Sequence, residues 1–131
     1  MTMARILLGG ALATLARRAR RGLLNAPAIV ANYRCGESSL TAVETIAHMG
    51  DLMEWGLSMA EGQQKWHYST PLAWDKECER FFAALKRLDD YVASEKPLHV
   101  SAEKLSQGPI ADALTHASEV ALLCRMLGAL R

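Results

Sequence analysis

Residues 70–97 read TPLAWDKECERFFAALKRLDDYVASEKP, and this stretch decides the fold class. Its large apolar side chains recur every three or four positions, which is the spacing of one face of an α-helix, while the opposite face is charged. Thr70 before Pro71 predicts the start of this helix, and Pro97 predicts its end. The apolar face consists of Trp74, Cys78, Phe81, Phe82, Leu85, Leu88 and Val92.

Three further stretches have helical spacing, and no stretch alternates as a β-strand would. They are predicted at Thr2–Leu24, Leu40–Ala60 and Gly108–Leu130. Thr41 and Glu44 have the spacing of a capping box, in which each side chain binds a free backbone amide at the helix start. Two long connections favour a crossover topology over tight hairpins. The sequence therefore predicts an all-α four-helix bundle.

The composition is that of a folded globular protein. The 131 residues are 50% apolar and 22% charged, and they predict a single domain spanning residues 1–131. The formal charge of +1 provides no general attraction for nucleic acid, which we do not expect as a partner. The arginine cluster at Arg17, Arg18, Arg20 and Arg21 is interpreted as the solvated face of the first helix, with a phosphate contact as the alternative.

The cysteines indicate a reducing compartment. Cys35, Cys78 and Cys124 are odd in number, lie far apart and lack metal-finger spacing, so we expect free thiols and a cytoplasmic protein. The apolar N-terminal stretch has its positive charge after the apolar run, which argues against a signal peptide. No apolar run approaches the roughly 20 residues of a membrane span, so no membrane association is expected.

Two helices carry polar tracks whose members lie one turn apart. On the fourth helix the track is Asp112, Thr115, His116 and Glu119, and it continues into leucines that are expected to face inward. On the second helix it is Glu44, His48, Asp51 and Trp55, which could equally be that helix's solvated face.

Imidazoles and carboxylates that face each other inside a bundle suit zinc, iron, nickel or manganese. The alternatives are exposed side chains or a buried histidine held by hydrogen bonds. His67 and His99 lie in predicted loops and are interpreted as structural or solvent-facing. Cys35 beside Arg34 is interpreted as inert, because one arginine is a weak influence on a thiol.

Two segments resemble the DinB-like family. Residues 41–51, TAVETIAHMGD, resemble the second-helix motif of that family. Residues 107–119, QGPIADALTHASE, followed by LLCRMLG at 122–128, resemble its last helix. The resemblance implies a four-helix bundle with up-down-down-up helix order, often dimeric, in which three histidines hold a divalent metal.

Mapped onto this chain, the resemblance assigns metal ligands to His48 and His116. The third ligand, usually histidine, is here Asp112, which could complete a two-histidine, one-carboxylate site with open positions. Asp112 could instead stabilise the dipole of its helix, since it falls in the first turn of the predicted fourth helix. Glu44 or Glu119 could orient the ligands.

Two functional hypotheses follow. The first is a DinB-like divalent-metal-binding protein, a homodimer that could act as a transferase or isomerase using a low-molecular-weight thiol, with its site between the second and last helices. The second is a metal-free bundle without catalytic activity that binds a small apolar ligand or a protein partner, or serves as a dimer.

Overall fold

The protein is all-helical in the part of the chain that the computed structural model describes, residues 1–23, 26–66 and 68–129. Three helices are α1 (Met3–Leu23), α2 (Ala42–Ala60) and α3 (Trp74–Ala93). The fourth, α4, has three successive parts: Ala102–Leu105, the wider π-helical turn Ser106–Ile110, and Ala111–Ala129. A short 3-10 helix, Ala28–Asn32, lies between α1 and α2. The predicted all-α class is confirmed.

Five residues lie outside the described part of the chain: Leu24, Asn25, His67, Leu130 and Arg131. The predicted ends of the first and last helices, Leu24 and Leu130, are among them. His67 is another, so its predicted structural or solvent-facing role also lies outside the described residues.

The helices pack around one apolar core to which all four contribute. Both α1 and α2 pack against α3 and against α4. Fully buried members of the core include Leu12 of α1, Met53 of α2, Phe81 of α3 and Ala113 of α4. Because α2 is covered by two helices, a polar side chain on it has to find partners on one of them. Among the described residues, no helix combines the length and hydropathy that crossing a bilayer requires.

The start of α2 is the predicted capping box. The Glu44 amide donates to Thr41 Oγ1 at 3.3 Å, and the Thr41 amide donates to Glu44 Oε1 at 2.8 Å. These bonds satisfy two amides that the first helical turn leaves without partners. The hydrogen bond from the Thr41 backbone lowers the pKa of Glu44.

The predicted start of α3 at Thr70–Pro71 is wrong. The helix begins at Trp74, and its N-cap residue, Ala73, makes no side-chain capping bond. Residues 69–72 are instead held outside the helix by two carboxylates. The Ser69 amide donates to Asp51 Oδ2 at 3.0 Å, and the Leu72 amide donates to Glu77 Oε2 at 2.9 Å. A local capping pattern is therefore overridden by contacts that the tertiary fold creates.

The predicted start of the last helix at Gly108–Pro109 is also wrong. Helix α4 begins at Ala102, where Ser101 Oγ accepts a hydrogen bond from the Lys104 amide at 3.1 Å. Pro109 lies inside α4, within the π-helical turn. A wider turn accommodates the proline ring and its missing amide proton without ending the helix. Asp112 therefore lies well inside a continuous helix, and the helix-dipole interpretation of this residue loses its basis.

The Pro109 ring is in close contact with α2 because residue 56 is glycine. A Cβ atom at Gly56 would lie only 3.3 Å from Pro109 Cγ and 3.2 Å from Leu88 Cδ2. Glycine thus allows α2 to approach both α3 and the widened turn of α4. This contact fixes the register between α2 and α4, which carry the two polar tracks.

The three cysteines are free thiols, as predicted. Burial, with a smaller contribution from Asp75, raises the pKa of Cys78 from 9.0 to about 11. Cys35 is exposed. We therefore expect iodoacetamide in mildly alkaline buffer to modify Cys35 first. Cys78 should react about 100-fold more slowly than an ordinary exposed thiol, because its thiolate fraction falls tenfold per pKa unit. Peptide mass spectrometry measures the rates.

In urea all three thiols should react alike, because the burial that raises the pKa of Cys78 is lost. Equal rates for Cys35 and Cys78 in the folded protein would contradict the prediction.

Candidate metal centre

The two polar tracks meet where α2 faces α4. His48 Nε2 lies 3.6 Å from Asp112 Oδ2, and His116 Nε2 lies 3.5 Å from Asp112 Oδ1. The two imidazole rings are edge to face, with centroids 4.9 Å apart. Each residue offers one ligand atom, and these three atoms all lie within 4.8 Å of one another. The three residues singled out in the sequence are thus brought together.

The donor spacing fits a single small cation. Ligand atoms bound at about 2.0–2.2 Å to one first-row ion are separated by roughly 3–3.5 Å. The two His–Asp distances are within or close to this range, so small rotations of the side chains would converge them. Two neutral imidazoles with one carboxylate suit zinc, iron, nickel or manganese, and three ligands leave coordination positions for water or substrate.

Glu119 orients one of the imidazoles. Its Oε2 atom lies 2.9 Å from His116 Nδ1. An ionised carboxylate only accepts hydrogen bonds, so it favours the tautomer with the proton on Nδ1 and the lone pair on Nε2. The Nε2 atom is the one that faces Asp112. A carboxylate behind a histidine is the usual support of a metal-binding imidazole, because it fixes the ring and increases its basicity.

Glu44 caps its own helix and does not orient a histidine. Its Oε1 atom accepts hydrogen bonds from both the amide and the hydroxyl of Thr41, at 2.8 and 2.9 Å. Of the two carboxylates considered as orienting groups, Glu119 therefore has the geometry, whereas Glu44 is occupied as a helix cap. Glu44 nevertheless lines the cavity in front of the histidines.

An open cavity of about 420 Å³ leads to the cluster. His48 and His116, but not Asp112, are among the residues that line it, and Leu40, Tyr68 and Pro71 contribute apolar surface. The side chains of His48, Asp112 and His116 are 27%, 51% and 18% exposed, so all three are accessible to a small molecule. The volume is within the range of small-ligand sites.

The aromatic residues beside His48 were missed by sequence reasoning. The Trp66 ring packs edge to face against His48, with centroids 5.7 Å apart, and against Tyr68 at 5.4 Å. Trp66 also contacts Trp55 of the α2 track at 5.6 Å. The sequence feature that indicates them is the pair of aromatic residues at 66 and 68 in an otherwise polar loop. This aromatic group limits the positions that the His48 ring can take.

The interpretation of the α2 track as a solvated face is wrong at Asp51. This residue is only 4% exposed, and its carboxylate accepts from the Ser69 amide and hydroxyl. It also lies 3.2 Å from Arg80 Nη1 of α3. Arg80 in turn donates to Glu77, which is completely buried, at 2.7 Å. Asp51 is therefore a structural anchor for the loop beside the site, one turn away from His48.

The remaining histidine among the described residues is separate from the cluster. The His99 amide donates to the Ala60 carbonyl at 3.0 Å, and its exposed ring lies close to Gly62, which has a φ of 90°. A Cβ at Gly62 would be 3.1 Å from this ring, so His99 takes part in ending α2.

The site thus consists of three ligand-type side chains from two helices, one carboxylate that orients a ligand, and a cavity open to solvent. This arrangement can bind a divalent cation while leaving room for a small molecule. No protein-family model matches the chain, and neither a curated protein nor a solved structure does.

Proposed function

We propose that this protein binds a divalent metal ion through His48, Asp112 and His116 and presents it to a small molecule in the adjoining cavity. The observation that carries the proposal is the convergence of two imidazoles and a carboxylate from α2 and α4, with donor distances of 3.5 and 3.6 Å. Three ligands and an open approach are typical of catalytic metal sites, whereas structural sites are closed. When bound, the ion would supply Lewis acidity to a thiol or to water.

The chain's own residues support this role. Glu119 keeps the Nε2 lone pair of His116 directed toward the cluster, and Trp66 restrains the His48 ring. The Asp51–Ser69 bonds hold the loop that carries Tyr68 against α2, at 2.6 Å between the hydroxyl and Oδ1. The apolar wall formed by Leu40, Tyr68 and Pro71 suits the carbon skeleton of an organic substrate.

The wider proposal follows the sequence resemblance. It places the protein in the DinB-like family, with an up-down-down-up four-helix bundle, a homodimer, and transferase or isomerase chemistry on a low-molecular-weight thiol. Asp112 replaces the third histidine of that family. A carboxylate is a harder ligand than imidazole, which makes manganese or iron better matched to this site than to a three-histidine site.

Metal titration of the untagged, chelator-treated protein tests the proposal. We expect one equivalent of Zn²⁺, Ni²⁺, Mn²⁺ or Fe²⁺ to bind in competition with a chromophoric chelator. His48→Ala and His116→Ala should each abolish stoichiometric binding, because two ligands cannot form the site. Glu119→Gln should weaken binding about 10–100-fold, since it removes the charge that supports the His116 ring.

His99→Ala is the matched control, because it removes an exposed histidine that does not belong to the cluster. It should bind metal as the parent protein does. Failure of all four ions to bind after reconstitution, or unchanged binding in both His48→Ala and His116→Ala, would favour the metal-free bundle that binds an apolar ligand or a protein. Circular dichroism checks that each variant is folded.

A further inference from the structure

A second cleft lies between the C-terminal half of α1, the residues that follow it at 26–27, and the second half of α4. It has a volume of about 390 Å³ and shares no lining residue with the cavity in front of the metal cluster or with the smaller one beside His116. Arg18 and Arg21 line it from α1, one turn apart on the same face, and Arg125 lines it from α4. All four arginines of the predicted solvated face, Arg17, Arg18, Arg20 and Arg21, are exposed, and Arg18 and Arg21 also line this cleft.

In the part of the chain that the structure describes, no acidic side chain balances the positive charge of this cleft. Neither aspartate nor glutamate lines it, and within the described residues none of these three arginines forms an ion pair. Arg20, by contrast, points elsewhere and lies over the Phe82 ring, 5.7 Å from its centroid. A helix C-terminus attracts cations, but Arg18 is more than one turn from the end of α1, where that effect has faded. Three guanidinium groups around one cleft repel each other unless an anion lies between them.

The floor of the cleft is apolar and made of small residues. A Cβ atom at Gly22 would lie only 3.0 Å from Ala121 Cβ and 3.2 Å from Ala121 Cα, so glycine allows α1 and α4 to touch here. Cys124 adds a half-buried thiol, and burial raises its pKa. Small side chains at the contact leave the space above them open between the arginines.

We infer that this cleft binds a small organic anion, with a carboxylate or phosphate head held by Arg18, Arg21 and Arg125 and an apolar body on the Gly22–Ala121 floor. Guanidinium groups bind both heads through paired, charge-assisted hydrogen bonds, and two helices supplying them fix the head from two sides. The cleft volume is sufficient for a ligand of this size. None of the residues that line this cleft belongs to the metal cluster.

Two-dimensional NMR titration of the full chain tests this inference. The probes are octanoate, octyl phosphate and the uncharged octanol, each below its micelle concentration. At least one anion should cause saturable shifts at the Gly22 and Ala121 amides, and octanol should bind at least tenfold more weakly. Arg21→Gln and Arg125→Gln should each weaken anion binding about tenfold, because a hydrogen bond to a charged group is lost. The ratio of the two anion affinities identifies the preferred head.

Arg17→Gln is the control, since Arg17 is exposed on the same helix but does not line the cleft. It should leave anion affinity unchanged. The inference is overturned if no saturable binding occurs at millimolar probe, if octanol binds as well as the anions, or if Arg17→Gln has the effect of Arg21→Gln. Binding only to vesicles of anionic phospholipid, without binding of the monomeric probes, also overturns it. Circular dichroism shows whether the variants are folded.

Discussion

Replacement of Arg80 by methionine is expected to lower the free energy of unfolding by about 3–5 kcal/mol. Arg80 donates to Glu77 Oε1 at 2.7 Å and to the Ala47 carbonyl at 2.7 Å, and it lies 3.2 Å from Asp51 Oδ1. Glu77 is completely buried and Asp51 is 4% exposed, so removing the guanidinium leaves two carboxylates without their cation in the interior. Equilibrium unfolding in urea measures the change.

Arg87→Met is the matched control, because Arg87 lies on the same helix and its side chain is 56% exposed. Its effect should stay within about 0.5 kcal/mol. The double variant E77Q/R80M should recover part of the loss, since one of the buried charges is removed together with its partner. An R80M variant as stable as R87M would show that the buried network contributes little.

The Arg80 network also connects stability to the site. Its partners are the Ala47 carbonyl immediately before His48, the Asp51 carboxylate that holds Ser69, and the Glu77 carboxylate that binds the Leu72 amide. A fourth partner is Glu54 Oε1 of α2, at 3.2 Å. A Cβ atom at Gly50 would lie 2.9 Å from Arg80 Cζ, so glycine is required for the guanidinium to reach these partners. The Arg80 network therefore holds in place the loop at residues 68–72, which forms one wall of the cavity.

Saturation with metal is expected to stabilise the protein by an amount that grows with free metal concentration. A ligand that binds only the folded state adds about 4 kcal/mol to the free energy of unfolding at about 1,000 times its Kd. Each further tenfold increase adds about 1.4 kcal/mol. Two helices that are far apart in the chain supply the ligands, so unfolding disperses the site. Urea unfolding at buffered Zn²⁺ concentrations measures the effect.

Variants of the three proposed ligands test whether the stabilisation comes from an ion bound at this site. Asp112→Asn keeps the shape of the side chain but removes its charge, so a higher zinc concentration should be needed for the same stabilisation. The double variant H48A/H116A should show no metal-dependent gain, while His99→Ala should behave as the parent protein does. Equal stabilisation of the double variant would mean that the ion binds elsewhere, for example to the free thiols.

Local sequence patterns predicted the helices but not all of their ends. The capping box at Thr41 and Glu44 is confirmed, because both partners lie within one helical turn. The helix starts predicted at Thr70–Pro71 and at Gly108–Pro109 are wrong. At Thr70 the chain is held by distant carboxylates on α2 and α3, and at Pro109 a π-helical turn accommodates the ring against Gly56.

For the candidate site, helical spacing placed His48 on one track and Asp112 with His116 on another, and these tracks do meet. The same reasoning left the α2 track open as a solvated face, and it gave no sign of Arg80, whose spacing from Glu77 resembles an ordinary surface ion pair. The Glu77–Arg80 pair differs from a surface ion pair in being buried. Burial depends on which residues pack over a helix face, and no local sequence pattern indicates it.

Periodicity and capping are encoded over one or two turns of chain, and these settled the helical class and the polar stripe on each helix. The convergence of the stripes, the burial of Asp51 and Glu77, and the cleft between Gly22 and Ala121 depend on contacts between residues far apart in the chain. Such contacts follow from the packing of whole helix faces, and therefore only the assembled structure could decide them.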